Sequence, residues 1–182
     1  MARKQLPEPI ERLDVRITRT LALVSVPMLR VALGIVFLWF GVLKFFPDLS
    51  PAESLAARTI EQLTFGAIGP DVALPILATW ETLIGLGLIV GRWLRAVLFL
   101  LAVQLVGTFT PLVLFPNETF SVFPLVPTLE GQYIIKNVVL VAAAMAVGAT
   151  VRGGRIVPEP GPDSRARYAE SAGVAEGQTR PT

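Results

Sequence analysis

Four long apolar stretches restrict this chain to a small set of folds. They lie at about 24–46, 72–90, 94–115 and 132–150, and each is close to the roughly 20 residues that an α-helix needs to cross a bilayer. Inside a bilayer the backbone finds no water, so only helices and closed barrels can span it. Predominantly apolar runs of this length favour helices. The sequence therefore predicts an all-α fold, an integral membrane four-helix bundle.

The composition agrees with a membrane protein and excludes several kinds of chemistry. Hydrophobic residues make up 53% of the chain and charged residues 16%, against about 25% charged in soluble domains. The chain contains no Cys and no His, which removes thiol nucleophiles and the usual ligands of zinc, haem and iron–sulfur clusters. We expect no metal site and no tightly bound cofactor, so any redox chemistry would need a diffusible organic cofactor or a partner subunit.

The positions of Lys and Arg predict the orientation in the membrane. Five lie before residue 20, two in the short hairpin at 91–95 and five after residue 151, whereas segment 47–71 has one and segment 116–131 has none. Because cytoplasmic segments carry the excess of Lys and Arg, both termini are predicted to be cytosolic. Basic residues at the chain ends suit a lipid bilayer, and no nucleic-acid partner is expected.

The segments outside the spans divide the chain further. Residues 1–22 are predicted to form a basic, cytosolic amphipathic helix at the membrane surface. The membrane domain is predicted to cover residues 23–151, and residues 152–182, rich in Pro, Gly and charge, are expected to be a disordered cytosolic tail. Between the first two spans, Ser50 and Glu53 have capping-box spacing with Pro51 at the first helical position. This predicts a short extracytoplasmic helix.

One face of the first span combines charge with small residues. Arg30, Gly34, Phe37, Gly41 and Lys44 follow one another at intervals of four and three, which places them on one side of a helix. The two glycines allow another helix to approach closely. A charged residue at bilayer depth is costly and usually faces the bundle interior. The alternative is that both cations extend to the nearest membrane interface.

The other spans supply further polar candidates. Glu81 lies near the middle of the second span and is followed by Gly85, a third candidate for helix packing. Gln104 lies in the third span, and Lys136 and Asn137 lie in the fourth. A carboxyl group at this depth must be protonated or paired with a cation. It therefore marks either a structural ion pair or a proton-handling or ligand site. Spacing within separate helices leaves open whether these groups meet in one pocket.

Specific runs resemble a known family. The run GIVFLWFGVLKFF at 34–46, the glycine-rich turns after Glu81, and the run YIIKN at 133–137 are similar to DoxX-like membrane proteins, most of all to their YkgB branch. The resemblance covers about residues 24–152. It implies a four-helix protein of the bacterial inner membrane, often associated with redox functions: one branch includes a subunit of a thiosulfate:quinone oxidoreductase, and others are associated with oxidative stress.

Three functions remain open at this point. The first is a redox-associated subunit, in which Lys44, Glu81, Gln104 and Lys136 bind the head of a quinone or a similar lipophilic molecule, with Asn137 and Arg30 as further candidates. The second is transport, with the two lysines attracting an anion. The third is a non-catalytic anchor for a partner enzyme. Candidate partners are a second copy of the chain or a partner oxidoreductase subunit. Whether the chain is an enzyme by itself is left open, but catalysis through a thiol or a metal is not expected.

Overall fold

The computed structural model describes residues 8–46, 49 and 53–154. Within these ranges, four helices are long and apolar enough to cross a membrane, which confirms the predicted all-α membrane bundle. The elements are α1 (Glu8–Leu43), α2 (Glu53–Leu63), α3 (Pro70–Val90), α4 (Leu94–Phe109), α5 (Pro111–Leu114), α6 (Pro116–Thr119), β1 (Phe120–Val122), β2 (Val126–Pro127) and α7 (Leu129–Thr150).

Residues 26–154 form one compact unit, which contains the bundle. Outside this unit the structure describes residues 8–25, the first part of α1, whose described side chains are nearly all exposed. The predicted boundary between a surface helix at 1–22 and a span from 24 is not a helix boundary, because α1 is continuous from Glu8. Residues 1–7 and the predicted tail beyond 154 lie outside the described residues.

Local sequence explains most of the helix ends. Helix α3 begins with Pro70, which fits the first helical position, and ends at Gly91 with a left-handed φ of 76°, as glycine favours. Helix α7 begins after Thr128, whose side chain accepts a hydrogen bond from the Gly131 amide. The predicted third span, 94–115, is divided at Thr110, because Pro111 starts a separate short helix. The first span ends at Leu43 rather than at 46.

The core of the bundle is formed by all four long helices. Helices α3 and α4 form an antiparallel hairpin, and α4 packs in turn against α7. The buried side chains are Leu33, Phe37, Ile84, Leu88, Val97, Leu101, Leu105, Ala143 and Val147. Burial of apolar side chains in this cluster positions the polar groups that the helices carry between them.

The two ends of the bundle differ in their connections. One end, which we call the hairpin end, contains the turn between α3 and α4. The end of α7 and the part of α1 near residue 26 also lie there. The opposite end, with α2, α5, α6, the β1–β2 hairpin and the start of α7, is the loop end. There α2 packs against α3 and buries Leu55, Ala57 and Thr59. The predicted helix between the first two spans is thus present as α2.

Candidate functional site

Three of the predicted polar residues meet inside the bundle. Lys44 Nζ lies 2.6 Å from Glu81 Oε2, and the side-chain amide of Gln104 donates a hydrogen bond of 2.8 Å to Glu81 Oε1. The side chains of the lysine and the glutamate are only 11% and 9% exposed. Each oxygen of one buried carboxylate is therefore occupied by a donor from a different part of the chain. We call these residues the triad.

Small residues on α1 and α3 make this meeting possible. A Cβ added to Gly41 would lie 2.7 Å from the backbone nitrogen of Thr82, and one added to Gly34 would lie 3.0 Å from the carbonyl oxygen of Gly85. The first distance is shorter than Cβ contacts in proteins and the second is among the tightest of them, so the helices approach at a distance that favours glycine. Because Lys44 lies three residues after Gly41, it faces α3 directly beside Glu81.

The register between these helices puts the lysine at an unusual depth. Helix α1 ends at Leu43, and its last turn lies against Glu81 and Thr82, near the middle of α3. Lys44 follows immediately and also lies 3.4 Å from the carbonyl oxygen of Phe40. The ammonium group thus reaches mid-bundle from a helix end, where the chain turns, and not from the middle of a span.

The buried charges are balanced, and their removal one at a time is expected to be costly. An isolated charge in a medium of low dielectric constant is strongly disfavoured, whereas a paired and hydrogen-bonded one is tolerated. Removing one partner of a buried pair typically costs about 3–5 kcal/mol. The triad provides an ammonium donor, a carboxylate acceptor and an amide that can act as either. Such a set can bind a carbonyl or hydroxyl group and can exchange a proton with it.

Two further polar groups lie next to the triad in the sequence. The indole N–H of Trp80 and the hydroxyl of Thr82 are buried, and neither has a hydrogen-bond partner within the described part of the chain. Buried polar atoms are nearly always hydrogen-bonded, so these two require an explanation. Sequence reasoning did not single them out; their position on either side of an intramembrane glutamate was the available signal.

A comparison with known families identifies the chain's relatives. The model of the DoxX family matches residues 25–115, which is half of the chain. The chain belongs to the DoxX family. This confirms the resemblance at the level of the family, while the YkgB branch stays a prediction. Searches of curated proteins and of solved structures gave no match.

The matched segment of this DoxX protein contains the whole triad, since Lys44, Glu81 and Gln104 all lie within 25–115. It does not contain Lys136 and Asn137. In the structure these two residues lie apart from the triad: Lys136 is exposed, with its Nζ 5.6 Å from the centre of the Tyr133 ring. The Asn137 amide donates to the carbonyl oxygens of Tyr133 and Ile134 in its own helix.

Arg30 of this DoxX protein also lies away from the triad, at the hairpin end. Its Nη1 donates a hydrogen bond of 2.9 Å to the carbonyl oxygen of Leu88, and its guanidinium group packs beside Gly91. The last carbonyl groups of a helix have no partner within the helix. Arg30 therefore caps the end of α3. Arg30 and Lys44 lie on the same face of α1, and this face packs along α3.

Proposed function

We propose that this DoxX-family protein is a membrane subunit of a redox system, of the YkgB type, and that its triad binds the polar head of a quinone or a similar small lipophilic molecule. The observation that carries the proposal is the buried Glu81 carboxylate held between Lys44 and Gln104. Ionisable groups inside membrane spans are costly and are retained mainly for function.

The donors and acceptors of the triad suit both oxidation states of such a head group. An oxidised quinone presents carbonyl oxygens, which accept hydrogen bonds from the Lys44 ammonium and the Gln104 amide. The reduced form presents hydroxyl groups, which donate to the Glu81 carboxylate. Reduction of a quinone consumes two electrons and two protons, and in this proposal a partner oxidoreductase subunit supplies the electrons. The triad holds and transfers protons at the ring oxygens.

The surroundings of Lys44 support an approach from the hydrocarbon region. Phe40, Phe45 and Phe46 are 45%, 48% and 53% exposed, and they flank the lysine on both sides in the sequence. Exposed aromatic side chains next to a buried polar group are typical of sites for molecules that combine an apolar body with a polar head. An entry from the bilayer requires no aqueous channel through the bundle.

The arrangement gives less support to the other two functions. An anion route would use Lys44 and Lys136, but the first is already paired with Glu81 and the second lies on the exposed side of α7. A purely structural anchor would explain the ion pair, but it leaves the unpartnered Trp80 and Thr82 groups without a role. We place the proposed subunit in the bacterial inner membrane with both termini in the cytosol, in a role linked to defence against oxidative stress.

The proposal is tested by binding of a quinone analogue to the purified protein. The Gln104→Leu substitution removes the amide while keeping the Lys44–Glu81 pair, and Lys136→Gln is the matched control outside the triad. A hydrogen bond between neutral groups contributes about 0.5–1.5 kcal/mol, so loss of the amide's bond to a quinone carbonyl is expected to weaken binding by roughly two-fold to ten-fold. Equal affinities in wild type, Q104L and K136Q would exclude the triad as the site.

A further inference from the structure

The hairpin end of the bundle has a charge distribution of its own. Within the described residues from 26 onward, its ionisable side chains are all arginines, with no carboxylate among them: Arg30, Arg92, Arg95 and Arg152. The loop end of the same unit carries the carboxylates Glu53, Glu61, Asp71, Glu118 and Glu130. Among the described residues of this unit, no carboxylate lies at the hairpin end to neutralise these arginines.

A strained tryptophan lies between Arg92 and Arg95 in the sequence. Trp93 has a φ of +52°, a left-handed conformation that is sterically unfavourable for a non-glycine residue. This backbone directs the indole outward, where it is 80% exposed. The Arg92 guanidinium lies 5.7 Å from the centre of the Trp93 ring, within the range of a cation–π contact. A large apolar ring and two guanidinium groups are thus presented together.

Beside the tryptophan is an open depression of about 500 Å³. It is lined by Gly91, Trp93, Leu94, Arg95, Ala96 and Val151, so its walls are mainly apolar and Arg95 is the charged residue among them. A free inorganic anion gains nothing from apolar walls. A phospholipid can bind both the arginines and the apolar wall. Its phosphate can pair with guanidinium groups, while its glycerol and upper acyl chain contact the apolar wall.

We propose that the hairpin end binds one anionic phospholipid, with the phosphate between Arg92 and Arg95 and the ring of Trp93 against the glycerol region. Trp is favoured at this level of a membrane, where one side of the ring is apolar and the other wet. The proposal concerns the opposite end of α3 from the loop end and does not depend on the function of the triad. It also holds for either orientation of the chain in the membrane.

The test is titration of lipid into the detergent-solubilised full chain, followed by native mass spectrometry. The probes are phosphatidylglycerol, phosphatidylcholine with the same acyl chains, and inorganic phosphate as a competitor. We expect one phosphatidylglycerol to be retained in preference to phosphatidylcholine and not to be displaced by inorganic phosphate. A charge-assisted hydrogen bond from an arginine to the phosphate contributes roughly ten-fold to affinity, so Arg92→Gln/Arg95→Gln should weaken retention by roughly ten-fold to a hundred-fold.

The matched control is Arg16→Gln/Arg19→Gln, which removes two exposed arginines with the same spacing elsewhere on the chain. Its retention of phosphatidylglycerol should stay close to that of the wild type. Trp93→Leu is a second variant, which leaves all charges in place and should weaken retention of both lipids. Equal losses in the two double-arginine variants, or displacement of the lipid by inorganic phosphate, would overturn the proposal.

Discussion

Gly41 and Thr82 touch at the point where α1 and α3 are closest to the triad. A Cβ on the glycine would lie 2.7 Å from the backbone nitrogen of the threonine and 2.9 Å from its hydroxyl. The same contact brings Lys44 and Glu81 to 2.6 Å. The close packing of Gly41 against Thr82 therefore also determines where the buried charges lie.

Replacing Gly41 by Ala is expected to destabilise the protein. The added methyl group would force the helices apart, and overpacking of this kind typically costs about 1–3 kcal/mol. The matched control is Gly107→Ala, since a Cβ at Gly107 meets nothing within 4 Å. Thermal unfolding in detergent should show a lower Tm for the first variant only. Equal Tm changes in both would show that helix propensity, and not the contact with α3, sets the effect.

A double-mutant cycle separates stability from ligand binding in the triad. Lys44→Met or Glu81→Gln alone disrupts a buried pair and should lower the free energy of unfolding by about 3 kcal/mol. The combined variant leaves no unpaired charge, so most of this loss should be recovered. Its affinity for a quinone analogue should nevertheless remain low. If the double variant is stable and binds the analogue as tightly as the wild type does, the Lys44–Glu81 pair has only a structural role.

The Arg58–Glu118 pair predicts a pH-dependent contact at the loop end. Arg58 Nη1 donates a hydrogen bond of 2.8 Å to Glu118 Oε1, and a second bond joins Nη2 to Oε2. These bonds lower the pKa of Glu118 below its ordinary value of 4.5. A depressed pKa contributes stability that is present above the ordinary value and is lost as pH falls through the value in the folded protein.

We therefore expect α2 to loosen at acid pH below 4.5, the ordinary pKa of Glu118. Hydrogen exchange in α2, corrected for the chemical effect of pH on exchange, measures this change. Glu118→Gln should show the faster exchange already at neutral pH, while Glu61→Gln, an exposed carboxylate on α2 itself, should resemble the wild type. If the exchange rate of α2 in Glu118→Gln equals that of the wild type, the Arg58–Glu118 pair is not the contact that stabilises α2.

Trp93→Gly is expected to raise stability while impairing lipid retention. Glycine adopts the φ of +52° without the steric cost that the tryptophan bears, so the gain should be about 1 kcal/mol. Trp93→Leu keeps the strained backbone and should show no such gain. The two variants are compared by thermal unfolding in a detergent free of phospholipid. A lower Tm for the glycine variant would mean that the exposed ring stabilises the fold.

The orientation predicted from Lys and Arg can be checked because the natural chain has no cysteine. Single cysteines at Asn117, in the exposed part of the loop end, and at Ser164, in the C-terminal segment, provide two reporters. An impermeant thiol reagent applied to intact cells should label the first and not the second. The reverse pattern of labelling would invert the predicted topology.

Local features of the sequence determined the four spans and the packing face of α1. Hydropathy over about 20 residues reflects the burial of each helix separately, and a period of 3.6 residues places Gly34, Gly41 and Lys44 on one side. The helix between the first two spans is present as α2, whereas Ser50 and Pro51 of the capping pattern that predicted it lie outside the described residues. The predicted surface helix at 1–22 and the predicted span from residue 24 share one helix, because α1 is continuous from Glu8 through Pro27.

Only the tertiary structure decided which polar groups meet. Periodicity gives the direction of a side chain around its own helix, but not the translation or rotation of one helix against the next. The close contacts of Gly34, Gly41 and Gly85 set this register. They place the last turn of α1 beside the middle of α3. This register selects Lys44 and not Lys136 as the partner of Glu81, and it adds Gln104 from α4. The same register places Arg30 at the hairpin end. Because α1 runs antiparallel to α3 and its last turn lies beside the middle of α3, its earlier turns lie beside the end of α3.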